Sequence, residues 1–366
     1  VRAHAKKHKR NILLSLFPPP KFLAMPAVGV DISDCSIKAV ELAERHTGQA
    51  LKRFSNYKLD GGIVTGGQIK DEVRLGEILM KLQKDYGATF VRAALPEQQA
   101  YVFETQVAAA SDEEQIAQQL EFKLEENVPL SPREVIIGYD ILETHKRKDA
   151  EEMTLTVTAY PRAEAERYIA AFETAGLTPL SLEIESQAIA RAVVPEDDAA
   201  SYLVVDFGET RTGLMIVTKG LLALTSTLEV PGHKLTDAIK AHGASGEEVV
   251  RVKNEEGIRS SSNTELRSAL VTVVSDLTVG IVRHFNYWNS RMEEEQTHEK
   301  IKKVILCGGN ANLAGLPEYV AAELQVLVER ANVWTNTFSF EETIPDMPAA
   351  EALSYATAIG LALRKS

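Results

Sequence analysis

Two stretches of this chain share one design. Val28 to Leu42 reads VGVDISDCSIKAVEL, and Tyr202 to Val217 reads YLVVDFGETRTGLMIV. Each is an apolar run that ends in an aspartate, Asp31 or Asp206, turns through small residues and resumes as a second apolar run. Such runs, bounded by turn residues, are the pattern of strands buried on both faces. An ionisable group at the end of a buried strand is costly unless it meets a cation, a donor or a ligand. Two such units about half the chain apart point to a symmetrical pair of lobes in an α/β molecule.

The bulk numbers agree with that scale. A chain of 366 residues is long for one core and comfortable for two or more. With 52 acidic against 40 basic residues and a net charge of -12, it lacks the basic surface of a general nucleic-acid binder. A glycine-rich turn still binds nucleotides, because it supplies backbone N–H groups rather than net charge. The two cysteines, Cys35 and Cys307, exclude a disulfide framework and fit a reduced cytosol. No apolar run approaches the roughly 20 residues a membrane span needs. The opening VRAHAKKHKR followed by NILLSLF is expected to be an extension, with contact to an anionic membrane surface the alternative.

Along the chain, strands are expected at 28–32, 37–44, 51–58 and 91–96, with a helix between Ile69 and Tyr86. Residues 97–160 read as a small inserted unit: a strand, a helix opened by a capping box of Ser111 and Glu114, and two strands joined by a polar hinge at 144–152. A helix ending before Gly176, a strand and a second helix follow. The second half repeats strands from Tyr202. The polar run 244–263 reads as an exposed helical connection, and the stretch after it as one long helix or two stacked ones. Phe285, Tyr287 and Trp288 in that stretch are expected to pack as a helix face.

Three short elements carry chemistry. GVDISD places Asp31 at a strand end, VVDFGETRT does the same for Asp206, and VILCGGNANLAGL passes from Cys307 through Gly308 and Gly309 to Gly315. Glycines let a backbone approach a ligand closely and aim N–H groups at phosphate oxygens. Neither GxxxxGK[ST] nor GxGxxG after a strand occurs, so the common nucleotide fingerprints are absent. Taken singly, each element reads as an ordinary turn; their order and spacing together give them weight. His4 and His8 lack cysteine or acidic partners, and Cys35 has no histidine near it in sequence, so neither a metal site nor a thiol nucleophile is expected there.

In that order the three elements resemble the phosphate-1, phosphate-2 and adenosine loops of the actin-like ATPase superfamily. Within it the chain is similar to the PilM family of type IV pilus assembly proteins and, more distantly, to the division protein FtsA. FPPPKFLAMPAVGVDISDCSIKAVEL, ALPEQQAYVFET, EENVPLSPREVIIGYDIL, SLEIESQAIARAV and ELRSALVTVVSDL carry the likeness, which runs from about residue 20 to the C-terminus. It implies an α/β, actin-like ATPase fold of two ribonuclease H-like lobes with a small inserted α+β subdomain. The implied division is 1–25 a basic extension, 26–96 and 161–200 the first lobe, 97–160 the inserted subdomain, 201–350 the second lobe, and 351–366 a helix packing back toward the first lobe.

The resemblance also implies ATP and Mg²⁺ as cofactors. Asp31 and Asp206 would hold the metal and serve catalysis, and Glu185 would lie near attacking water. Ser33, Ser36, Lys38, Gly208, Thr210, Gly232, Gly308, Gly309, Asn310 and Gly315 would contact the nucleotide. Activity would be at most that of a slow Mg²⁺-dependent ATPase. The implied partner is the N-terminal cytoplasmic peptide of a PilN-like inner-membrane protein, seated between the inserted subdomain and the first lobe. With it come weak self-association, no nucleic acid, and a cytoplasmic location at the inner face of the membrane through partners. Ser33, Pro231, His233 and Glu209 depart from the family pattern, so a nucleotide-independent scaffold is the alternative, with an FtsA-like division protein behind it. A sugar kinase on the same fold lacks a sugar-facing acid.

Overall fold

The computed structural model describes residues 27–45, 48–109, 113–147, 150–259, 263–295, 298–341 and 343–364. The expected N-terminal extension and Ser111 of the capping box lie outside them. The chain forms two compact units, one of Val1–Ile37 with Tyr57–Ile184, the other of Lys38–Asn56 with Glu185–Ser366.

The first half of the chain opens with β1 (Ala27–Ile32), β2 (Ser36–Arg45) and β3 (Gly48–Lys58). A two-residue-per-strand hairpin, β4 (Val64–Thr65) and β5 (Gln68–Ile69), then interrupts what reads as a plain loop. Helix α1 (Glu72–Tyr86) starts where the Asp71 side chain accepts the Arg74 N–H and stops at Gly87 in the left-handed region, φ 57°. Leu75, Leu79 and Leu82, at helical spacing, are fully buried. Strand β6 (Phe90–Leu95) runs parallel to β1 with Val30 beside Ala93.

The inserted segment is β7 (Tyr101–Ala108), α2 (Glu113–Asn127), β8 (Val135–Arg147) and β9 (Ala150–Pro161). Its three strands form an antiparallel sheet in the order β7-β9-β8. Ile116, Leu120 and Leu124 of α2 recur every fourth residue and are buried, and the first two pack with Val107, Tyr139, Leu155 and Val157. The expected polar hinge is instead mostly ladder, with Arg147 paired to Ala150. Strand pairing is made by backbone N–H and C=O groups, so a polar sequence continues a ladder as well as an apolar one. Helix α3 (Arg162–Thr174) and β10 (Thr178–Ile184) complete this half, and β10 lies parallel to β6.

The second half holds α4 (Glu185–Val193), β11 (Ser201–Phe207), β12 (Thr212–Thr218), β13 (Leu221–Leu228), α5 (His233–Ala241) and α6 (Glu247–Arg251). After a π-helical turn (Val252–Glu256) and a 3₁₀ turn (Gly257–Arg259) come α7 (Thr264–Glu295), β14 (Ile301–Cys307), α8 (Leu316–Leu324), β15 (Leu327–Arg330) and α9 (Ala356–Leu363). Helix α7 is a single helix of 32 residues. Leu270, Val274, Leu277, Ile281 and Trp288 line its buried face and Phe285 joins them, while Tyr287 is half exposed. Tyr287 therefore departs from the expected aromatic packing, because it falls on the solvent side of the helical repeat.

The two five-stranded sheets have one connectivity. Their orders are β10-β6-β1-β2-β3 and β13-β12-β11-β14-β15, so each runs third, second, first, fourth, fifth in its own strands. In the second sheet the first three strands are antiparallel neighbours and the last two are added parallel. Both strand-end aspartates thus sit on the central strand of a repeated sheet. Among the described residues, no helix is long and apolar enough to cross a membrane.

Candidate functional site

In the first unit Asp31 ends β1 and is 7% exposed. Strand alternation puts it on the sheet face that also carries Arg92 of β6 and Glu183 of β10, both likewise buried. Sequence reading passed over these two, since a lone Arg or Glu in an apolar run gives no spacing signal. The turn after Asp31 closes on itself. Ser33 donates its N–H and its hydroxyl to the Ser36 carbonyl at 2.9 and 3.0 Å, and the Ser36 N–H returns to Ser33 Oγ at 3.2 Å. Asp34 then accepts the N–H groups of Gly66 and Gly67 at 3.1 and 3.0 Å, which ties the turn to the β4–β5 hairpin.

The second unit brings together most of the remaining expected residues. The register of β11 sets Asp206 beside Cys307 of β14 and opposite Gly213 of β12. A Cβ on Gly308, which has φ +83°, would stand 2.5 Å from Asp206 Oδ1 and 2.6 Å from the Phe207 carbonyl, so this position admits only glycine. The loop beyond Asp206 is closed by Gly208 N–H, which points to both the Asp206 and Arg211 carbonyls at 3.1 and 3.0 Å. The Gly208 carbonyl in turn accepts the Gly232 N–H at 3.0 Å and Asn310 Nδ2 at 3.1 Å. Gly232 has no room for a side chain, because its Cβ would lie 1.9 Å from Asn310 Nδ2.

Asn310 is therefore a clamp between loops. Its Oδ1 accepts Lys253 Nζ at 3.1 Å, and Lys253 is desolvated there, which lowers its pKa against the opposing pull of Glu209. The backbone of the 252–259 turn docks on the same loop, with Ala314 N–H to the Lys253 carbonyl and Ile258 N–H to the Ala314 carbonyl, both at 3.0 Å. Gly315 closes the loop at φ +92° where a Cβ would meet Ile258 at 2.6 Å. Gly309 stands beside Ser354, and Thr210 is exposed at the loop tip. His233 bonds the Glu209 carbonyl through both its N–H and its ring.

The electrostatics around Asp206 involve four charged side chains. Burial pushes its pKa up from 3.8 to about 6, Glu185 adds to the rise, and Arg211, Lys38 and the Cys307 thiol oppose it. Burial next to this carboxylate also raises the Cys307 thiol well above its ordinary value. Glu185, at the start of α4, is gripped by Arg211, whose Nη2 donates to its two oxygens at 2.8 and 3.0 Å. Arg211 was not singled out from sequence. Its only signal there is a cation in a turn that otherwise carries small and polar residues.

Two acids face two cations of the same unit, and among the described residues no group of three or more His, Cys, Asp or Glu is placed to hold a metal ion. The chain's chemistry here is that of interlocked glycine turns around one half-buried carboxylate.

A family model described as type IV pilus assembly protein PilM matches residues 29–366. Among solved structures, the chain is similar to a chain of a PilM-PilN type IV pilus biogenesis complex at 21% identity and a TM-score of 0.72, over 92% of this chain and 98% of that one. It is similar to the ethanolamine utilization protein EutJ from Carboxydothermus hydrogenoformans at 17% identity and a TM-score of 0.51, over 94% and 90%. It is also similar to MreB 5 of Spiroplasma citri bound to AMPPNP, at 12% identity and a TM-score of 0.53, over 92% and 95%. The fold is that of the actin-like ATPases.

Proposed function

Because the chain belongs to the type IV pilus assembly protein PilM family, we propose that it works in pilus assembly as an adaptor. It binds ATP on the loops of its second unit and holds a short cytoplasmic peptide of a PilN-like inner-membrane protein beside the inserted subdomain. The nucleotide part rests on one observation: Gly208, Gly232, Gly308 and Asn310 converge on the loop that follows Asp206. The peptide part rests on the likeness to the chain of a PilM-PilN complex. Such an adaptor works at the inner face of the cytoplasmic membrane through its partner. With Glu185 engaged by Arg211, hydrolysis is at most slow, and nucleotide acts mainly on conformation.

If ATP and peptide favour one conformation, each raises the affinity of the other by the same factor. Calorimetry of nucleotide-stripped protein with ATP, with and without Mg²⁺, tests the first part; anisotropy of a labelled PilN peptide tests the second. Asp206→Ala is expected to lose ATP binding while retaining peptide. Asp31→Ala tests the expected role of Asp31 in holding Mg²⁺: an unchanged Mg²⁺ dependence removes Asp31 from that role.

A nucleotide-independent scaffold is the second reading. What favours it is that the N–H groups of Gly208, Gly232, His233 and Gly308 are all donated within the protein. Peptide binding with no ATP binding in either buffer selects it.

A further inference from the structure

The outward N–H and C=O groups of an edge strand pair with another chain unless something blunts them. Most edges of this protein are blunted. Strand β10 carries Pro179 and Glu183 and breaks register between Pro179 and Ser181. Strand β3 carries Lys52, Arg53 and Lys58, and its Gln49 N–H is tied to the Thr337 carbonyl at 3.3 Å. Strand β15 is four residues long and ends in Glu329 and Arg330. In the inserted sheet, β8 carries Asp140 and breaks register between Ile141 and Glu143. The end of β7 is capped, because the Gln119 amide bonds both backbone groups of Ala108 at 2.8 and 3.2 Å. Strands β4 and β5 have two residues each.

Strand β13 lacks these devices. It terminates the second five-stranded sheet, and its sequence LLALTSTL over Leu221–Leu228 holds no charge and no proline. Its register against β12 breaks between Leu222 and Leu224, and from Leu224 to Leu228 it is regular. Among the described residues, nothing hydrogen-bonds to Leu221–Leu228 beyond the ladder with β12. Charge appears only at the two ends of the strand. Lys219 stands in the turn before it and Glu229 directly after it, and both are exposed.

That arrangement is complementary to itself. Two β13 strands laid antiparallel bring the Lys219 end of each against the Glu229 end of the other, twice over by symmetry. A parallel pair would set like charges together. We propose that β13 is a self-association surface, at which two copies of this chain pair edge to edge and antiparallel about a two-fold axis. The two five-stranded sheets then continue as one, and the short contact makes the association weak and reversible. The surface is separate from the nucleotide loops and from the inserted subdomain of the adaptor reading, and it does not depend on that reading.

The test is sedimentation equilibrium of the full chain from low micromolar to millimolar concentration, with hydrogen exchange measured along the same series. Wild-type protein is expected to dimerise, with amide protection over residues 221–228 that grows with concentration. Lys219→Glu and Glu229→Lys each turn two opposite-charge pairs into like-charge ones and should weaken the dimer by about tenfold. The double variant exchanges the charges and should recover wild-type association, which separates pairing from any loss of fold seen in the melting curves of the single variants. Association that ignores the charge swaps, or protection that grows elsewhere and not at 221–228, overturns the proposal. So does a protein that stays monomeric at every concentration. Protection of 221–228 that a PilN peptide brings about and concentration does not would give the edge to a foreign strand, and would equally overturn pairing between copies.

Discussion

Asp206 is held in a way that opposes the stability of the fold. Its pKa in the folded protein is about 6 rather than 3.8, first through burial and then through Glu185. The folded state then binds a proton more tightly than the unfolded chain, so stability falls as pH rises from about 4 to 6, and the loss is complete above that window. Asp206→Asn removes the ionisation. Its melting temperature should exceed that of the wild type at pH 7.5, by a stability increment on the order of 1–2 kcal/mol, and its profile between pH 4 and 6 should be flatter. A variant that melts lower at pH 7.5 with the slope intact would contradict this. Gly308→Ala should act in the other direction, because its Cβ would press on Asp206 Oδ1 and on the Phe207 backbone at positive φ. A loss of about 2–3 kcal/mol in urea unfolding is expected, and a neutral outcome would mean that the loop yields.

At the scale of elements, α4 and α9 pack closely. A Cβ on Gly360 would stand 1.8 Å from the Ala188 carbonyl, and Arg191 Nη1 donates to the Gly360 carbonyl at 2.9 Å. Ala188, Ala192 and Ala358 are fully buried, so the two helices approach on small residues. Gly360→Ala should cost about 3 kcal/mol in chemical denaturation, while Gly76 within α1 has no heavy atom within 4 Å of its Cβ position and lacks this constraint. Elements of this kind were readable in advance. Short apolar runs marked β1 and β6, helical spacing marked α1, α3 and α7, and Gly176 marked a helix end. The convergence of Asp206, Gly208 and Gly308 was foreshadowed by the order of three short strand-turn elements, two of them with glycine in the turn. The grip of Arg211 on Glu185 and of Lys253 on Asn310 was not, since 26 and 57 residues separate the partners and no local pattern encodes such a meeting. The β4–β5 hairpin was missed because two-residue strands fall below any periodicity.

On the scale of the whole molecule, one sheet connectivity occurs twice, yet the compact units do not follow the chain in two halves. Lys38–Asn56 belongs to the same unit as Glu185–Ser366. Within this unit Phe54 sets its ring edge-on to Tyr355 at 5.6 Å, and the Gln49 N–H reaches the Thr337 carbonyl at 3.3 Å. Glu41 also joins Lys52 and Arg53 at 2.6 and 2.9 Å, pairs at the surface that add at most about 1 kcal/mol each. Hydrogen exchange in residues 38–56 should therefore accelerate when Tyr355 is changed to Ala, although the site lies about 300 residues further along the chain. Exchange that stays at the wild-type rate there would separate the hairpin from the C-terminal segment.

That distance acquires a second meaning on the ribosome. At roughly 5–20 residues per second, about 300 residues take some 15–60 s to emerge after Phe54 has left the exit tunnel. During that interval the aromatic ring and its neighbouring strand lack the tertiary partners that Tyr355 and Thr337 will provide. An amphipathic hairpin left waiting so long is a natural target for a nascent-chain chaperone, and a segment translated about 300 residues later becomes the one that seals it.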